Sequence, residues 1–289
     1  MPKTSKSIRV QSERKLNSDK KDIPFPGYEA LSDEMNEKPA SIILTITDSE
    51  GNHIRNVKKN ASNGSGRIAW NLRHKSYYPV RAGRAQSNRW WNPSGPYVTP
   101  GQYTANLYLE NNGSVEKLDG PVEFNVKPLR AGTLEGASHD EYNSFRERIS
   151  SLYIEMSKYQ DEFSMMENKV QLLEKASMQL EEFSPELMKK ISDFKAKYNA
   201  FDSDTNGNNA RSEIGEWDKV TISTRVQIAM QGLSTSYGPT DLNKSNLEIA
   251  EKLFKKLATD VKMFKSELET LENEVKELNP PHLSGTGIN

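Results

Sequence analysis

Large apolar residues recur at alternating steps of three and four through the second half of the chain. One seam runs Tyr142, Phe145, Ile149, Leu152, Met156, Tyr159, Phe163, Met166, Val170, Leu173. Another runs Leu247, Ala250, Phe254, Leu257, Val261, Phe264, Leu268, Leu271, Val275, Leu278. This spacing gives each helix one narrow apolar stripe, the pattern of long helices packed side by side. Ser138-His139-Asp140-Glu141 fits a capping box at the start of the first helix. That helix is predicted to reach about Phe183, a length on the order of 65 Å at 1.5 Å per residue, too long for one compact core. Ser184-Pro185-Glu186 ends it and starts the next, with proline at the first helical position. Leu187, Ile191, Phe194, Tyr198 and Phe201 continue the stripe there. Val220 to Leu233 predicts a short helix, and Thr240 is placed to cap a last long one ending before Pro280-Pro281. Short links make successive helices antiparallel. The expectation over 138–279 is an elongated antiparallel bundle with coiled-coil-like helices that mostly satisfies its own seams, with 280–289 a loose tail.

Between Ala40 and about Leu129 the period changes to two. Ile42, Leu44 and Ile46 alternate with polar residues, as do Tyr103, Ala105, Leu107 and Leu109. Asp48 to Asn52, Asn63 to Gly66 and Asn111-Asn112-Gly113 supply the turns, the last reading as a hairpin. Short strands and close turns predict an antiparallel immunoglobulin-like β-sandwich over 39–130, with Trp70 as its core aromatic. The fold class is therefore α+β in two domains. Residues 1–38 read as a locally basic linker or docking arm, turned by Pro24-Phe25-Pro26-Gly27.

Composition narrows the picture. The net charge of -1 removes any bulk attraction to nucleic acid or an anionic membrane. The absence of Cys excludes disulfides, zinc-thiolate sites and thiol catalysis. No apolar run approaches the roughly 18–20 residues of a membrane span. The N-terminus is positively charged but lacks the apolar core of a secretory signal.

Two segments invite a chemical reading. The connection from Arg73 to Thr99 holds Tyr77, Tyr78, Trp90 and Trp91 among arginines. Such aromatics can stack on a sugar ring, cover the end of a sandwich or pack on a neighbouring domain. Asp202, Asp204, Asn206, Asn208 and Glu213 fit the written form of an EF-hand loop for Ca²⁺. Against it, Asn209 stands where the loop normally carries an apolar side chain, no second loop exists, and Asn/Asp/Gly runs are common in any exposed turn. The four histidines are far apart, and the helical carboxylates alternate with lysines as on a solvated flank. No catalytic residue and no cofactor is assigned.

The stretches Pro24 to Leu31, Glu37-Lys38-Pro39, Ile46 to Asn52, Arg67 to Arg73 and Pro96 to Thr104 resemble the C-terminal part of large bacterial sortilin-type β-propeller proteins, commonly labelled glycosyl hydrolases for their Asp-box repeats. The β section is similar to the immunoglobulin-like domain of flagellar hook-capping proteins. Ile222 to Arg225 and Ser234 to Thr240 extend the resemblance over nearly the whole chain, and it is strongest around Trp70 and Pro100. It implies a non-catalytic structural and interaction module whose partner is a β-propeller, on another chain or formerly on the same one. It also implies a truncated or split gene product, and a family that is periplasmic or secreted. Any sugar-cleaving site would belong to the propeller. The alternative is a carbohydrate-binding module using Tyr77, Tyr78, Trp90 and Trp91.

Overall fold

The computed structural model describes residues 5–62, 64–80, 94–130, 135–235, 237–278 and 280. The chain divides into two compact units, Met1–Ser76 with Ser94–Ala131, and Tyr77–Pro93 with Gly132–Asn289. The fold is α+β, and each unit carries its own apolar core.

In the first unit, the segment read as a linker forms helices α1 (Ser5–Ser18) and α2 (Tyr28–Asn36). The Arg9 guanidinium ties them together, donating to the Glu34 carboxylate at 2.7 and 2.9 Å and pairing with Glu13 one turn on. Strands β1 (Ser41–Asp48), β2 (His53–Asn60), β3 (Gly101–Asn111) and β4 (Ser114–Val126) make one antiparallel sheet in the order β2-β1-β3-β4. The period of two sets its faces: Leu44 lies opposite Leu107, and Ile46 opposite Ala105. β4 runs unbroken from Ser114 to Val126, kinked by register shifts where Leu107 meets Asp119. The hairpin turn forms as expected, with positive φ at both Asn112 and Gly113 (48° and 81°).

Among the described residues, the regular strands form this single sheet. Across its apolar face lie two further segments, joined by His74 N–H to the Pro96 carbonyl (2.9 Å) and Val98 N–H to the Leu72 carbonyl (2.9 Å). Gly95 sits where they approach most closely; a Cβ there would come within 2.4 Å of the Lys75 carbonyl. Val98 and Trp70 cover Ile46, Ile54 and Tyr103. Trp70 packs edge-on to Tyr103 and Phe124, and its indole N–H donates to the Arg73 carbonyl at 2.9 Å. Trp70 is partly buried against this core, in which Tyr103 is the buried aromatic.

The second unit is helical: α3 (His139–Ser177), α4 (Pro185–Asn206), α5 (Asn209–Glu213), α6 (Ile222–Gln231) and α7 (Asp241–Glu277). The caps expected at Ser138 and Thr240 are present, and Ser184 and Thr221 cap two more helices. Ser138, Ser184 and Thr221 accept from the amides of Glu141, Leu187 and Thr224, and Thr240 with Asn243 forms a full capping box. α3 ends at Ser177, short of Phe183, and residues 178–183 turn the chain toward α4. α7 packs on α3, α4 and α6. The seams face one another within the chain in two clusters. One centres on Leu173, Ile191, Phe194 and Leu268; the other on Ile149, Val226, Ala229 and Leu247. Full burial of each such aliphatic side chain is worth about 1.5–3 kcal/mol. No helix among the described residues is long and apolar enough to cross a membrane.

Candidate functional site

Two neighbouring features of the helical unit meet at Tyr153 on α3. The first is an aromatic cluster. The Tyr77 ring lies 5.5 Å and the Tyr78 ring 5.0 Å from Tyr153, centroid to centroid. Tyr77 and Tyr78 stack on each other at 5.8 Å. Such offset and edge-on pairs are favourable on their own account. These two tyrosines, expected as platforms for a sugar, are half-buried in packing around Tyr153. Trp90 and Trp91 lie outside the described residues, as do Arg81, Arg84, Arg89 and residues 281–289 of the tail.

The second feature is a cavity of about 150 Å³ where the end of α4 and the start of α6 meet α3 and α7. Tyr153, Met156, Tyr159 and Phe163 line it from α3, Phe201 and Thr205 from α4, Ile222 and Ser223 from α6, and Leu257 and Val261 from α7. It falls at the boundary of the two cores: Phe163 and Val261 belong to one, Ile222 and Met156 to the other, and Leu257 touches both. None of the lining residues is charged. Buried Ser157 donates its hydroxyl to the Tyr153 carbonyl at 2.9 Å. Sequence periodicity did not reveal this space. Its one trace is Ser157, a small buried side chain next to Met156 of the apolar seam.

A neighbouring cavity of about 280 Å³ shares Phe201, Thr205, Ile222 and Leu257 with the first. It opens among Lys219, Lys256 and Asp260, with Val220 and Leu253 on its apolar side.

The residues weighed for Ca²⁺ are placed differently from an EF-hand. α4 runs helically through Asp202 to Asn206, and the Asn206 amide donates to Asp202 at 2.6 Å across one turn. Asn208 follows the helix; its backbone amide is held by the Asp218 carboxylate and its side chain accepts from the Ala210 amide at 3.0 Å. Glu213 ends α5 in solvent. Asp204 lies on α4, within the helical run. The backbone over Asp202 to Asn206 is helical, not the extended turn by which an EF-hand loop wraps its cation. Among the described residues, no three His, Cys, Asp or Glu side chains are grouped to hold a metal.

The perturbed titrating groups reflect pairing and burial. Lys244 holds Glu141 below the usual carboxylate range and is itself raised by it. Backbone amides of Asn208 and Lys219 lower Asp218, and Lys58 with Ser41 lowers Glu110. Burial raises Tyr198, helped by the nearby charges of Glu167 and Asp202, while its hydroxyl donates to the Phe163 carbonyl at 2.9 Å. Arg148 grips Glu251 bidentately at 3.1 and 2.8 Å, bracing α3 against α7.

Comparison of the chain with known protein families, with curated proteins and with solved structures finds no match in any of the three.

Proposed function

We propose that the chain is a non-catalytic structural and interaction module, similar to the C-terminal region of sortilin-type Asp-box proteins, and that its partner is a β-propeller domain. On this reading the sheet unit is a hook-cap-type immunoglobulin-like sandwich. The layer of Trp70 and Val98 across the four strands supports that. The long helices are the coiled-coil-like appendage; their paired seams support it.

The observation that carries the docking role is Trp217. It is 95% exposed, and Ile214 and Val220, three residues to either side of it in the chain, are 72% and 48% exposed. Val220 shares a cavity wall with Leu253 of α7, and Ile249 lies one turn from Leu253. An indole left in water is unfavourable until covered, and tryptophan is prominent among residues that dominate binding energy. Biolayer interferometry against a sortilin-type Asp-box propeller domain tests the proposal. Trp217→Ala is expected to weaken binding roughly tenfold or more, with the far-UV circular dichroism unchanged. A propeller domain that fails to bind, or that binds the variant as tightly, overturns it.

The carbohydrate-binding alternative rests chiefly on Trp90 and Trp91, because Tyr77 and Tyr78 already pack on Tyr153. Glycan binding lost in the Trp90→Ala, Trp91→Ala double variant would favour it over docking.

A further inference from the structure

We propose that the cavity between the two helical cores is a binding site for a small neutral aromatic molecule. It is independent of the docking surface, so neither proposal depends on the other.

Size comes first. At about 150 Å³ the space has the volume that admits one aromatic ring with a small substituent. The walls come second. Tyr153, Tyr159, Phe163 and Phe201 offer ring faces and edges, and Met156 adds a polarisable sulfur at the rim of the rings. Charge is the third and most selective feature. No lining residue carries one, so a carboxylate or ammonium would enter without a counterion and at heavy desolvation cost. The adjoining cavity, with Lys219, Lys256 and Asp260, has the opposite character.

The polar groups fix an orientation. Ser157 is committed to the Tyr153 carbonyl and the Asn206 amide donates to Asp202, which leaves Gln160, Thr205 and Ser223, with the Asn206 side-chain oxygen, to meet one hydroxyl or ring N–H on the ligand. Phenol and indole have that form. A ring bound here touches helices from both cores at once, so occupancy stiffens the join between them.

The test uses the full chain with indole and phenol as probes and benzoate as the charged control. At tenfold excess over its Kd, indole is expected to raise the melting temperature by about 3–6 °C, and benzoate to leave it unchanged. In methyl spectra of the unaltered protein, Met156 and Val261 should shift with indole while Leu247, outside the cavity, holds still. Ser157→Leu fills the space from α3 and Thr205→Leu from α4, and each should abolish both responses. The variants enter from different helices, so the loss of one fold leaves the other to report. Absence of methyl shifts with both probes at roughly millimolar concentration, near the weakest affinity worth counting as a site, overturns the proposal. Responses that persist in the filled variants, or that benzoate reproduces, do so equally.

Discussion

Asn243 is the point at which two helices depend on one side chain. It is buried, and all its polar atoms are engaged. Its Oδ1 accepts from the Thr240 amide at 2.9 Å and from the Thr240 hydroxyl at 2.6 Å, closing the capping box of α7. Its Nδ2 donates to the Ile228 carbonyl at 2.6 Å. That carbonyl lies in the last turn of α6, where intrahelical partners run out. Asn243→Ala removes both functions. Thr240 Oγ1 still accepts from the backbone amide of residue 243, so the variant loses only the reach-back bonds to Thr240, about 0.5–1.5 kcal/mol, while leaving a half-buried carbonyl unsatisfied costs about 1–3 kcal/mol. The expected total is about 2–4 kcal/mol, against about 1 kcal/mol for Thr240→Ala, which removes the cap alone. Thr240→Ser keeps the oxygen and should cost only a few tenths of a kcal/mol. Urea denaturation followed by far-UV circular dichroism measures all three. The double variant should be less destabilised than the sum of the singles, since both belong to one network. If Asn243→Ala costs no more than Thr240→Ala, or if the two add fully, the assignment of Asn243 as a bridge between α6 and α7 is wrong.

Two further outcomes follow from the charged contacts. Glu272 is 8% exposed and its carboxylate meets the Lys169 ammonium at 2.7 Å. Lys169→Met should cost about 1–3 kcal/mol by stranding that carboxylate, and adding Glu272→Leu should restore most of the loss in the same denaturation assay. Glu141 is lowered below its ordinary value of 4.5 by Lys244, so its contribution is present above that pH and disappears as pH falls through the folded value. The stability difference between the native chain and Glu141→Gln, followed by thermal melts across pH, should therefore shrink below about 4.5; a difference that persists unchanged in acid would refute the pairing.

Much of the helical unit was legible in the sequence because its determinants are local. The three-and-four spacing names the residues that pack, and Ser138, Ser184 and Thr240 announce helix starts through side chains that reach only three residues. The turn at Asn112-Gly113 was legible for the same reason, since left-handed backbone favours those residue types. Features fixed by distant partners were not. α1 and α2 are joined by an ion pair spanning 25 residues, which no local pattern encodes. The stop of α3 at Ser177 was hidden because Leu180 and Phe183 prolong the apolar pattern past the last turn. The Asp202 to Asn206 stretch has loop composition, yet an amide-to-carboxylate contact one turn apart lets it continue as helix. Of the candidate site, Tyr77 and Tyr78 were legible only as aromatics among arginines, because their packing on Tyr153 depends on the fold. The cavity depends on how four helices meet and could be sensed only through Ser157.

The division of the seams into two cores has a consequence for how this chain can change over generations. Leu247 and Val275 lie on the same helix but about 42 Å apart along it, each fully buried in a different cluster. Substitutions at such a distance act independently, whereas neighbours inside one cluster must compensate one another. Each end of the helical unit can therefore drift under its own packing rules while α3 and α7 keep the two in one piece. Sequence divergence should accumulate as two separate blocks of covarying positions, with Leu257, the residue that touches both, the most constrained between them.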